Sequence, residues 1–150
     1  MVKTIHSKFN EEWEGFPIKC LSLDSLYVVT PPKVYLHGKP FHERLKEDIQ
    51  KDGLYFPFIG VEVTYKDLVA FKKRYKQKMN DIPEPFEGTM VSIWGGCQRY
   101  VVIKSLEYTH VDVALLPKKP INEFGMFIDR YQHLQRAPEH INKRYYNTGP

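Results

Sequence analysis

The chain has no apolar run close to the roughly 20 residues that a membrane-spanning helix needs, so contact with a membrane interior is not expected. Its start, Met1 to Gly15, is mixed in charge and has no apolar signal core, and secretion is not expected either. Cysteine is scarce, with only Cys20 and Cys97. One pair is too few for a disulfide framework, and a reduced, cytoplasmic setting is the expectation. The six histidines come without Cys-x-x-Cys or His-Glu-x-x-His spacing, so no metal site is expected. Internal repeats, low-complexity tracts, a Gly-Lys-Ser/Thr phosphate loop and a nameable Ser-His-Asp arrangement are all missing.

What remains is the composition of a folded domain. The 150 residues are 42% apolar, 14% aromatic and 27% charged, long enough for a core that needs no disulfide or metal staple. The net charge of +4 permits contact with nucleotides or nucleic acid without demanding it. Pro17–Leu23 and Leu26–Val29 read as strands. Phe41, Leu45 and Ile49 lie four apart, an apolar stripe on a helix that Gly53 should stop. Phe58–Val63 reads as a strand led by Pro57. A helix from about Tyr65 to Met79 buries Leu68, Phe71, Tyr75 and Met79, with Thr64 and Asp67 forming a variant capping box. Met90–Trp94 is a strand, followed by two glycines and a helix to about Tyr108. His110–Leu116 alternates as a strand, and Asn122 is expected to cap a last helix with Phe124, Phe127, Ile128, Tyr131 and Leu134 on its inner face. The fold class is α+β: one domain over 1–137, with a small mixed sheet and flanking helices, and a polar, aromatic tail over 138–150.

A strand, two glycines and a helix can form an anion site. Gly95 and Gly96 let the backbone turn sharply and come close to a ligand, and the first helix amides and the dipole favour negative charge. Arg99 can add a forked contact to a phosphate. The same residues also read plainly as a tight turn with a buried cysteine and a surface arginine.

Gly95-Gly96-Cys97-Gln98-Arg99-Tyr100 resembles the Gly-Gly-Cys-His-Arg-Tyr turn of sulfiredoxins and the Gly-Glu-Arg-Arg turn of ParB N-terminal domains. Arg44 to Pro57 resembles the ParB segment of a helix, a glycine and a proline-led strand. His133-Leu134-Gln135-Arg136 stands where ParB proteins carry Glu-Asn-x-Gln-Arg. The three landmarks span about Tyr35 to Arg136. This resemblance implies a ParB/sulfiredoxin-like domain that binds a nucleotide, ATP or CTP with Mg²⁺, through Gly95, Gly96, Cys97, Gln98, Arg99, Gln135 and Arg136. It also implies an NTPase or phosphotransferase. Sulfiredoxins use the turn cysteine as a nucleophile, which makes Cys97 a candidate with a lowered thiol pKa at a helix start. Gln98 replaces their histidine, and their helix lysine falls at about Phe41, with Lys39 near. His133 replaces the ParB asparagine. Glu47 and Asp48, on the helix that superfamily members use at the site, are candidates for holding Mg²⁺ or acting as a base; otherwise they are solvent-facing charges.

Lys66, Lys72, Lys73, Arg74, Lys76 and Lys78 crowd the helix over about 65–80, which is an insertion relative to the superfamily. Lys72, Lys73, Arg74 and Lys76 can track a phosphate backbone and make the chain a DNA-binding accessory protein or ParB-like nuclease, or they can form a solvated face. Three functions are therefore carried forward: nucleotide binding at the turn, DNA binding by the basic helix, and sulfiredoxin-like reduction through Cys97.

Overall fold

The structure is a computed structural model that describes residues 1–30, 38–75 and 79–135, with backbone alone over 38–41. It is an α+β domain. In chain order it runs β1 (Thr4–Ile5), β2 (Glu12–Trp13), β3 (Phe16–Ser22), a 3-10 turn (Leu23–Ser25), β4 (Leu26–Val28), α1 (Gly38–Asp52), β5 (Phe58–Val63), α2 (Tyr65–Tyr75), β6 (Met90–Gly95), α3 (Cys97–Ser105), β7 (His110–Leu116) and α4 (Ile121–Leu134).

The strands form one mixed sheet in the order β2-β3-β7-β5-β6-β4, with β1 added to β7. The central pair β5 and β7 is parallel, with Phe58 opposite Val113 and Val61 opposite Leu116. Phe58, Ile59, Val61 and Val63 on β5, with Val111, Val113 and Ala114 on β7, are fully buried; β7, expected to alternate, instead buries Val111 to Ala114 in succession, because a central parallel pair is covered on both faces. The edge strand β4 is covered. Asn80 donates its amide to Val29 O at 2.7 Å and its side-chain NH₂ to Val28 O at 2.8 Å, using up ladder groups that would otherwise template a second chain. The Tyr27 hydroxyl donates to Asn80 O at 2.6 Å. Burial, and then the Asp81 charge, push this phenol up to about 12.

The helices follow most of their stripes, although Leu134 at the end of α4, expected inward, is exposed. Leu45 and Ile49 of α1 are buried, and Gly53 ends the helix at φ +74° with its amide bonded to Ile49 O at 2.8 Å. The side chain of Phe41 lies outside the described atoms. At the start of α2 the capping box is present: Thr64 N donates to Asp67 Oδ2 at 2.9 Å and Asp67 N to Thr64 Oγ1 at 3.1 Å. Helix α2 is described over Tyr65–Tyr75; residues 76–78 lie outside the described residues, and Met79 is buried as expected. Phe71 of α2 stacks on Phe124 of α4 with ring centroids 4.8 Å apart, and Trp94 of β6 meets both rings edge-on.

Two boundaries differ from expectation. Helix α3 ends at Ser105, and Glu107 at φ +68° turns the chain towards β7. Helix α4 starts before Asn122: the Pro120 carbonyl accepts from the Glu123 and Phe124 amides, both at 2.9 Å, so Ile121 is already helical. No helix among the described residues is long and apolar enough to cross a membrane. The expected tail over 138–150 lies outside the described residues.

Candidate functional site

The glycine turn sits where β6 runs into α3. Gly96 is the N-cap of α3 at φ +114°, ψ 13°, and offers no side-chain cap. A Cβ at this position would lie 2.6 Å from Phe58 Cδ1. Both the left-handed backbone and the aromatic floor therefore require glycine. The result is a helix start at Cys97, Gln98 and Arg99 whose first amides receive no side-chain acceptor from the cap, the arrangement that favours an anion.

Around the turn the expected residues divide. Gln98 reaches α1: its Oε1 is 2.6 Å from His42 Nε2, and α1 and α3 pack together. Glu47 is exposed, on the side of α1 opposite the Leu45–Ile49 stripe. Asp48 is half-buried on a flank of that stripe. The structure thus separates the two candidate carboxylates, one outward and one partly inward. Among the described residues no three His, Cys, Asp or Glu side chains gather as metal ligands.

Arg99 departs from its expected role at a phosphate. It is only 4% exposed. Nη1 donates to Phe56 O at 2.7 Å, Nη2 donates to Gln135 Oε1 at 2.8 Å, and the guanidinium lies over the Phe58 ring, 5.0 Å from its centroid. Gln135, 2% exposed, completes the link by donating Nε2 to Pro57 O at 2.7 Å. Among the described residues Nε of Arg99 has no hydrogen-bond partner. Among the described residues one backbone carbonyl, an amide oxygen and a π-face take the place of a carboxylate around this buried cation. Arg99 and Gln135 are brought together, as the two sequence landmarks suggested, but they face each other. They fasten the start of α3, the approach to β5 and the end of α4. Arg136 lies outside the described residues.

Cys97 also departs from expectation. Burial pushes its thiol up, and this outweighs hydrogen bonds from the Thr30 backbone and side chain, the Arg99 charge and its own amide. The thiol points back to Ile93 O at 4.0 Å. A helix start lowers a thiol pKa only where it outweighs desolvation, and here desolvation is the larger of the two.

On the basic helix, Lys72 is diverted. Its ammonium donates to Met79 O at 2.8 Å and Asn80 O at 3.1 Å, closing the turn after α2. Lys73 and Arg74 are exposed. Lys76 lies outside the described residues. The sequence reading missed Lys118 and Lys119. Lys118 Nζ donates to Asp67 Oδ2 at 3.0 Å, which sets this loop beside α2. The basic pair between Pro117 and Pro120 was the available signal. It also missed the buried Asp112 of β7, which accepts from the Ser7 amide at 2.8 Å and lies 2.9 Å from His6 Nδ1, fixing the segment after β1.

No family model matches this chain, and no curated protein matches it.

Proposed function

We propose that the chain is a nucleotide-binding domain of the ParB/sulfiredoxin type, receiving phosphate at the start of α3. The observation that carries this reading is Gly96: a left-handed N-cap pressed on Phe58 that leaves the first amides of α3 without a side-chain cap. His42 and Gln98, linked across α1 and α3, are the polar groups proposed to border the nucleotide. Arg99 acts as a positioning residue. By tying α3 to Phe56 O and Gln135 it holds the helix start at a fixed height above β5, so the amides are aimed before a ligand arrives.

ATP or CTP with Mg²⁺ is the proposed ligand. Mg²⁺ keeps several waters and binds through phosphates plus one or two carboxylates, so the lack of a three-ligand cluster among the described residues fits an ion carried in by the nucleotide. Asp48 is the carboxylate proposed to meet it, in preference to the outward Glu47. Binding is proposed without a thiolate step at Cys97, because burial pushes that thiol up.

Calorimetric titration with ATP, CTP and GTP in Mg²⁺ tests the reading. At least one nucleotide is expected to release heat and raise the melting temperature, with inorganic pyrophosphate competing. No heat with any of the three and an unchanged melting temperature would overturn it.

A further inference from the structure

Helix α2 buries Leu68 and Phe71 and turns the opposite side outward. Lys66, Ala70, Lys73 and Arg74 are exposed there, within about a third of the helix circumference at 3.6 residues per turn. Lys66, Lys73 and Arg74 make no ion pair among the described residues. Across a groove of about 360 Å³ next to this side stands the loop before α4, with Lys118 and Lys119. Asp67, the acidic residue in the groove, is neutralised by Lys118 at 3.0 Å. Lys119 rests over the Phe127 ring, 5.2 Å from its centroid, and keeps its charge uncancelled. Glu123, in the first turn of α4, is the acidic residue that follows this loop in sequence.

We propose that this face, built from α2 and the loop 117–120, binds the phosphodiester backbone of a nucleic acid without reading its sequence. It is separate from the glycine turn, and it is not the lysine cluster taken as a whole, since Lys72 is spent on closing its own turn. The favoured partner follows from what lies between the charges. Protein interfaces rest on a buried apolar or aromatic centre. The side chain set among Lys66, Lys73 and Arg74 on the outer arc is Ala70; the groove adds the buried Phe71 and the exposed Ile121, one open aliphatic group and no exposed aromatic anchor. Phosphate contacts need only placed cations. Lys66 and Lys73, seven residues apart, are about 10 Å apart along the helix axis, roughly the rise of three phosphates on one strand.

The test is fluorescence anisotropy with a labelled duplex of mixed sequence and the full chain, over 50 to 200 mM salt. Four contacts (Lys66, Lys73, Arg74 and Lys119) predict an affinity loss of about 100-fold over that range. The triple variant Lys66→Gln, Lys73→Gln, Arg74→Gln should bind at least tenfold more weakly at 50 mM, with its log–log salt slope reduced by about 3. Lys119→Gln alone should reduce the slope by about 1. The charge-keeping pair Lys66→Arg, Lys73→Arg should bind as the parent does, which separates lost charge from lost fold. The proposal is overturned if the parent does not bind at 50 mM salt or if the triple variant keeps its affinity. Polyglutamate of equal charge competing as well as unlabelled duplex would also overturn it, since that result would mark an acidic-protein surface.

Discussion

Arg99 donates Nη2 to Gln135 Oε1 at 2.8 Å across 36 residues of sequence, and both side chains are buried. Gln135 spends its own NH₂ on Pro57 O, so removing it strands a donor and an acceptor together. Gln135→Ala is expected to cost about 2 kcal/mol, the penalty for buried polar groups left without partners, measured by urea denaturation. A loss below about 0.5 kcal/mol would mean that water or another group takes over both bonds.

Gly96 combines φ +114° with a Phe58 ring where a methyl would have to go. Gly96→Ala should therefore lower stability by about 1 to 3 kcal/mol from backbone strain alone, and further if the ring shifts. If the variant melts with the parent, the turn is not under the constraint described. A variant that folds but no longer responds to a nucleotide would place the ligand at this turn.

Burial alone would raise the Asp67 carboxyl, but the Thr64 amide and hydroxyl and the Lys118 ammonium outweigh it and hold the group below its ordinary 3.8. A folded-state pKa below the unfolded one means that the stabilisation is complete above about pH 4. It is lost as the pH falls through the folded value. Asp67→Asn should flatten the stability profile below pH 4 and lower stability at neutral pH. An acid limb identical to that of the parent would show that Asp67 contributes nothing there.

Cys20 is exposed on β3, whereas Cys97 sits at a helix start that buries its thiol. Iodoacetamide at neutral pH should label Cys20 first and reach Cys97 chiefly after denaturant is added. Both thiols are pushed up, by burial and, for Cys20, by the neighbouring Asp112, so both reactions should be slow. Peptide mass mapping reads the order. Faster labelling of Cys97 in the native chain would restore it as a nucleophile.

The elements were largely legible because their signals are local. The β-strand at His110–Leu116, the Leu45–Ile49 spacing ahead of Gly53 and the Thr64–Asp67 box each depend on residues within a turn or a strand of one another, although the alternation expected of that strand gave way to burial on both faces. The structure kept all three. A helix end was legible only to within a few residues, as Ser105 shows, since packing of the segment beyond decides where it stops.

By itself, then, the sequence determined an α+β domain and a glycine turn leading into a helix: periodicity sets which faces are buried, and glycine is the residue that tolerates the left-handed cap. Only the tertiary structure decided where the charges went. Arg99 turned inward because Phe56 O and Gln135 come from chain segments far from it, and the Cys97 thiol is pushed up because burial outweighs the Thr30 hydrogen bonds and the Arg99 charge that favour its thiolate. Lys72 was withdrawn from the basic face by Met79 and Asn80, while Lys118 and Lys119 were added to it by the loop that follows β7, the neighbour of β5 in the sheet. A side chain's partner is set by proximity in space, and for these residues that proximity arises only when the sheet assembles.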